Sequence, residues 1–262
     1  MSSWQQIGRG IAVVPTYNEV TNLEDVVRRI REHIPDLDVL VVDDASPDGT
    51  GELADKLSES DPQVHVLHRL GKQGLGVAYL DGFGWAISHG YDVLVQMDAD
   101  GSHQPEQLPS LLSALPTADL VLGSRWVPGG SVENWPAARR LLSRGGNRYA
   151  RVAIGVPLAD ATGGFRVWRR STLEGLDLRT VASQGYCFQV DLAWRAVEAG
   201  YTVVELPIQF VERVRGQSKM DRAIVNEAFV RITVWGLRRR TAQAALAARL
   251  AARRLRTRDK RM

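Results

Sequence analysis

The chain has 262 residues, is 44% apolar and 24% charged, and carries a single cysteine, Cys187. That length and apolar content allow one large buried core and exclude a disordered chain, while one cysteine excludes an internal disulfide and a Cys-based zinc site and points to a reducing compartment. The formal net charge of +3 conceals an asymmetry, because the last 27 residues carry +9 and the first 235 carry −6.

Ile11-Ala12-Val13-Val14 reads as a strand ending at Pro15. Thr21 is positioned to cap a helix bearing Leu23, Val26, Val27 and Ile30, with Glu24 completing a capping box. Val39 to Val42 is a second strand, followed by the turn-rich Asp44 to Gly49 and a helix from about Gly51 to Ser58. Val64 to Leu67, Val93 to Met97 and Leu120 to Leu122 are further strands, with a helix over Val77 to Ser88 between the first two. Such alternation predicts an α/β fold with a mainly parallel central sheet and helices on both faces. Beyond it come a basic helix over Ala137 to Ala153 interrupted at Gly145-Gly146, a Gly-rich segment from Ala161 to Arg166, a helix over Phe188 to Ala199 and a strand over Thr202 to Glu205. A helix from about Ala223 carries Ile224, Ala228, Ile232 and Trp235 on one face and leads into an amphipathic, Arg-rich tail with Leu246 and Leu250. No run of about 18 uncharged apolar residues occurs, which argues against a transmembrane span. MSSWQQIGRG lacks the order of a signal peptide, so the chain reads as cytosolic.

Ligands of such sheets sit beyond the carboxyl ends of the strands, where Thr16 to Glu19, Asp43 to Asp48 and Asp98 to His103 cluster. Asp98-Ala99-Asp100, directly after a strand, suits Mg²⁺ or Mn²⁺ bridged to a diphosphate, since these ions favour carboxylate oxygens and substrate phosphates. The alternative for this triplet, as for Asp43 to Gly49, is a solvated turn. Gly71 to Gly76 lacks the Walker A pattern, and no G-x-G-x-x-G follows the first strand. His103 is a ligand or a cap, and Arg125, Arg213, Arg215 and Lys219 are suited to phosphate contacts.

Pro15-Thr16-Tyr17-Asn18-Glu19, VVDDASPDGT, MDADGSHQP and GSRW-VPGG, in that order, resemble the motifs of family 2 glycosyltransferases of GT-A fold. ENWP…RRLLSRGGN, DATGGFRVWRR, GYCFQVDLAWRA and PIQFVERVRGQSKM resemble the dolichol- and polyprenol-phosphate mannose synthases, of the actinobacterial type. The resemblance implies a catalytic domain over residues 1–220 and a tail over 221–262. It also implies inverting transfer of mannose from GDP-mannose to a polyprenyl monophosphate, a UDP-sugar donor such as UDP-glucose being the alternative. A non-catalytic nucleotide-sugar sensor is less favoured, because the carboxylate pair is intact. Pro15, Tyr17, Glu19, Val42 and Asp44 match the nucleotide-contacting segments, and Asp98, Ala99 and Asp100 match the metal and diphosphate segment. Where the family often has Gln, this chain has Ser102 as the third candidate metal ligand, for Mg²⁺ or Mn²⁺. Arg125, Arg213 and Lys219 match basic residues around the donor, with Asp100 and Arg213 as the catalytic candidates. The tail then implies a peripheral protein on the cytoplasmic face of the membrane, held by lipid or by a membrane-embedded partner. Nucleic acid is disfavoured, since the −6 body carries no stacking motif.

Overall fold

The β-branched runs form strands β1 (Gly10–Thr16), β2 (Leu37–Asp43), β3 (Val64–His68), β4 (Val93–Gln96) and β5 (Leu120–Ser124) in a computed structural model that describes residues 2–181, 185–212 and 228–241. Strands β6 (Ser131–Glu133), β7 (Arg166–Arg169), β8 (Val203–Pro207) and β9 (Gln209–Val211) follow. Seven of these make one sheet in the order β3-β2-β1-β4-β7-β5-β8, and β6 pairs with β9 apart from it. All pairings are parallel except those of β7, which runs antiparallel to β4 and β5. Strand order reverses between β1 and β4, and the crevice beyond their carboxyl ends is where such sheets hold ligands.

The helices are α1 (Leu23–His33), α2 (Thr50–Ser60), α3 (Leu75–Ser88), α4 (Leu108–Ala114), α5 (Ala137–Ile154), α6 (Arg170–Gly175) and α7 (Gly185–Glu198). An eighth, α8, covers residues 228–241. Alternate residues of β1 serve opposite cores, as the two-residue period of a strand requires. Ala12 and Val14 pack with Val26 of α1 and Leu111 of α4. Ile11 and Val13 pack with Phe83 of α3, Leu192 of α7, Ile154 of α5 and Ile232 of α8. The mainly parallel sheet with helices on both faces is therefore as expected.

Three local expectations are corrected. Helix α1 starts after Asn22, not Thr21, and the Asn22 side chain makes no capping hydrogen bond; Asn22 Nδ2 instead donates to Glu19 Oε2 at 2.9 Å. Helix α5 runs unbroken through Gly145-Gly146, because Asn147, Ala150 and Ile154 bury its inner face and outweigh a glycine cost of about 1 kcal/mol each. Helix α4 and strand β7 were not anticipated. No helix among the described residues is long and apolar enough to cross a membrane.

Candidate active site

Pro15 and Val42 are cross-strand partners in the β1–β2 ladder, so the first two sequence-predicted segments meet at one point. One residue further on, the Thr16 hydroxyl donates to Asp43 Oδ1 at 3.0 Å, and the Asp44 N–H donates to the Thr16 carbonyl at 3.0 Å. The Val42 side chain lies in the core, leaving only its main chain for a ligand. Asp44 is ion-paired to the buried Arg69, which also bonds Asp81 at 2.8 Å, and the Gly74 N–H approaches Asp44 Oδ2 at 3.4 Å. The Lys72 ammonium sits 4.0 Å from the Tyr17 ring centroid. Glu19 is buried, and its N–H donates to Thr50 Oγ1 at 2.9 Å. Asn18 and Ala45 both take positive φ, 57° and 56°. For alanine that conformation is costly, and residues held so cluster at functional sites.

Asp98 and Asp100 emerge from β4 beside this cluster. The Tyr79 hydroxyl of α3 donates to Asp98 Oδ1 at 2.7 Å, and the Asp98 N–H donates to His103 Nδ1 at 3.0 Å. His103 is stacked on Phe165 with centroids 5.0 Å apart. Burial lowers the His103 pKa against the opposing pull of Asp98 and Asp100, which keeps the ring neutral and its Nδ1 an acceptor. His103 is thus a brace beneath the pair, the capping alternative of the sequence reading. Ser102 donates both its hydroxyl and its N–H, the latter at 3.0 Å, to Asp100 Oδ1, so it buttresses the carboxylate. The Ala99 methyl is buried in the core, and only its main chain can face a donor.

Among the described residues no group of three or more His, Cys, Asp or Glu side chains could enclose a metal ion. Two carboxylates at a strand end nevertheless fit Mg²⁺ or Mn²⁺, which complete their shell with substrate phosphate oxygens and water.

The third part of the site is a groove of about 690 Å³ including its open mouth, lined by Leu142, Gly146 and Tyr149 of α5, Val190 of α7 and Phe229 and Ile232 of α8. Arg125, Arg139, Ser143 and Thr162 line its polar part. Arg125 bonds Asp160 through Nε at 2.6 Å and Nη2 at 2.7 Å, and also reaches Thr162 Oγ1 at 2.9 Å. Burial pushes the Asp160 carboxyl up, but the Arg125 charge and hydrogen bonds outweigh it and hold the pKa below the ordinary 3.8. Arg125 also faces the rings of Trp135 and Phe210, each 5.3 Å from its guanidinium carbon, and Arg139 lies 4.2 Å over Trp135. The groove adjoins the carboxylates: Phe210 is edge-on to His103 at 5.6 Å, and the Val211 N–H donates to the Ser102 carbonyl at 3.2 Å.

Pro15, Tyr17, Glu19, Val42, Asp44, Asp98, Ala99, Asp100 and Ser102 all fall at the carboxyl ends of β1, β2 and β4, and Arg125 lies in the adjoining groove. Arg213 and Lys219 lie outside the described residues. Sequence reasoning missed Tyr79, Arg69, Arg139, Trp135 and Asp160. Tyr79 was legible only as a helix residue, whereas Arg139 and Trp135 sat in a quoted motif, ENWP…RR, whose aromatic-then-basic order was the available signal.

The description of glycosyl transferase family 2 matches residues 11–176. The chain belongs to glycosyl transferase family 2. This family 2 chain is 55% identical over 229 residues to the undecaprenyl-phosphate mannosyltransferase of Micrococcus luteus, covering 87% of this chain and 94% of that one. It is 52% identical over 238 residues to the polyprenol monophosphomannose synthase of Mycolicibacterium smegmatis, covering 90% of each. In three dimensions it matches the mannosyltransferase PcManGT of Pyrobaculum calidifontis, solved with GDP-Man and Mn²⁺, with a TM-score of 0.53 and 22% identity, over 93% of this chain and 75% of that one. The fold is GT-A, and the chain is a glycosyltransferase.

Proposed function

We propose that this glycosyltransferase moves mannose from GDP-mannose to a polyprenyl monophosphate with inversion, at a membrane surface. The observation that carries the reading is the groove: an apolar trough with Arg125, Arg139 and Ser143 along one part, beside the Asp98–Asp100 pair. An apolar trough with a cationic end suits a lipid whose head is a phosphate. The names of its relatives in Micrococcus luteus and Mycolicibacterium smegmatis support the same acceptor class and the same sugar. GDP is favoured as the nucleotide by the PcManGT complex.

The chemistry matches what the site holds. A phosphate monoester is largely ionised near neutral pH, so its oxygen can attack the sugar C1 without a general base. The C1–O bond to the diphosphate breaks, its electron pair leaves with GDP, and no proton need move. What remains for the protein is positioning and charge compensation. Asp98 and Asp100 would hold Mg²⁺ or Mn²⁺, which when bound neutralises charge on the departing diphosphate. Tyr17, Glu19 and Asp44 would bind the nucleoside, Asp44 from its anchorage on Arg69. Arg139 and Ser143 would align the acceptor phosphate, and Arg125, neutralised by Asp160, would shape the end of the groove. Arg213 and Lys219 are carried into this proposal as further phosphate-binding cations, Arg213 acting with Asp100 in catalysis.

The test is transfer of labelled sugar to polyprenyl phosphate from GDP-mannose and from UDP-glucose, with the anomeric configuration of the product read by NMR. A β-linked mannolipid from GDP-mannose supports the reading. Product from UDP-glucose alone, or an α-linked product, contradicts the donor or the single displacement respectively.

A further inference from the structure

We infer that Gln189 and Asp98 hold a hydroxyl of the donor's hexose between them, in the space beside Gly164. The inference rests on the sugar-nucleotide reading above and extends it from the nucleoside and diphosphate to the sugar itself.

A buried relay decides which way Gln189 faces. Trp168 of β7 and Gln96 of β4 are fully buried, and the Trp168 indole N–H donates to Gln96 Oε1 at 3.2 Å. An indole nitrogen only donates, so the Gln96 amide presents its oxygen to Trp168 and its NH₂ to α7. Gln96 Nε2 accordingly donates to Gln189 Oε1 at 2.7 Å. With that oxygen turned to Gln96, the Gln189 NH₂ points the other way, as a donor. The main chain of α7 is anchored at the same residue, since Arg166 Nη2 donates to the Gln189 carbonyl at 2.8 Å. Gln189 is only 4% exposed, yet among the described residues nothing accepts from its Nε2. A buried donor fixed in one orientation without an acceptor is unfavourable, and a ligand oxygen would complete it.

Gly164 marks what this donor faces. A Cβ there would lie 3.4 Å from Gln189 Nε2, 3.5 Å from His103 Cε1 and 3.6 Å from Asp98 Oδ2. These are ordinary van der Waals distances, and the Gly164 φ lies outside the left-handed region, so the folded chain itself does not require glycine at this position. The missing side chain leaves a partly exposed niche at the carboxyl end of β4, bounded by one donor and one acceptor. Tyr79 donates to Asp98 Oδ1, and it is Oδ2 that borders the niche. A hydroxyl suits this pair, because it donates to the carboxylate and accepts from the amide at once. A phosphate oxygen suits it less well, having no proton to give Asp98 and meeting a neutral amide where strong phosphate contacts use cations. In a donor whose diphosphate lies at Asp98 and Asp100, the hexose is joined directly to that diphosphate and brings hydroxyls to the niche. The ribose hydroxyls belong to the nucleoside end, at β1 and β2.

The experiment is calorimetric titration of the full chain with GDP-mannose and with GDP, in Mg²⁺ or Mn²⁺, for the wild type, Gln189→Met and Gly164→Ala. The first substitution keeps the length of the side chain and removes the amide, and the second fills the niche. Both should weaken GDP-mannose at least about 10-fold and leave the affinity for GDP unchanged. Gly164→Ala should also keep its melting temperature, so the test survives if Gln189→Met does not fold. Among GDP-mannose analogues that each lack one sugar hydroxyl, one should bind the wild type at least about 10-fold more weakly than the parent and lose nothing further in Gln189→Met. Equal weakening of GDP and GDP-mannose, or affinities that neither substitution changes, overturns the inference. A wild type that binds neither guanine nucleotide removes the donor reading instead, and the same titrations with UDP-glucose and UDP then decide the role of Gln189 by the same criterion.

Discussion

The Tyr79 hydroxyl donates to Asp98 Oδ1 at 2.7 Å, from the same helix whose N-cap, Gly74, brings its N–H to Asp44. Helix α3 and its N-cap thereby tie Asp44 to the carboxylate pair. Tyr79 is fully buried, and burial, reinforced by the Asp98 charge, raises its pKa well above 10.0, so it remains a donor throughout the working range. Tyr79→Phe removes the brace and leaves the ring stacking on Phe188 intact. We expect the metal concentration for half-maximal activity to rise about 10-fold, as when outer-shell partners of other ligating groups are removed. An unchanged metal titration would deny Asp98 a part in metal binding.

The Arg125–Asp160 pair is the most deeply buried ion pair touching the groove, with side-chain exposures of 5% and 0%. Asp160→Asn leaves the guanidinium buried without its counter-ion, at a cost of about 3–5 kcal/mol, measurable by urea unfolding at neutral pH. The sign with pH follows from the lowered Asp160 pKa. A depressed carboxyl stabilises fully above its unfolded value and loses that contribution as pH falls through the native one, here below 3.8. Wild type and variant should therefore converge in stability only in acid below about pH 4. A constant gap down to pH 2 would assign the loss to packing.

Much of this architecture was legible in the chain, and the failures have physical causes. Strands β1, β2 and β4 are buried on both faces and so read as continuous aliphatic runs, and the acids after them mark their carboxyl ends. Strand β7 stayed hidden because Arg166 lies fully buried inside it, its Nε donating to the Gly163 carbonyl and its Nη2 to those of Ala161 and Gln189, with Nη1 left without a partner. No periodicity anticipates a charge solvated by main chain. Asp160 lies 35 residues from Arg125 and Tyr79 lies 19 from Asp98, separations at which spacing carries no signal. Helix α4 was obscured by Pro109, which is tolerated in its first turn.

Gly82 sets how closely α3 approaches the sheet beneath the site. A Cβ there would lie 2.5 Å from Val13 Cγ1 and 3.0 Å from Val42 Cγ2. Gly82→Ala gains helix propensity but overpacks this contact, and we expect a net loss of about 1–3 kcal/mol in thermal or urea unfolding. A stabilised variant would mean that α3 can shift at no cost.

On the proposed reading the groove takes the acceptor, apart from the sugar nucleotide. Leu142→Asp introduces a carboxylate beside the path of a lipid phosphate and removes apolar surface from the trough. The KM for polyprenyl phosphate should rise at least about 10-fold, equivalent to about 1.4 kcal/mol, with the KM for the sugar nucleotide unchanged. Equal rises in both would indicate a general distortion.

The central claim is that the acceptor's own ionised phosphate attacks C1, so that this site needs no general base. Its most direct test compares transfer of labelled mannose from GDP-mannose to polyprenyl phosphate and to the free polyprenol of the same chain length, in Mg²⁺ or Mn²⁺. The account predicts a mannolipid from the phosphate, lost in Asp100→Ala, and none from the alcohol. Comparable turnover of the alcohol would contradict it, since an alcohol must lose its proton to a general base as it attacks.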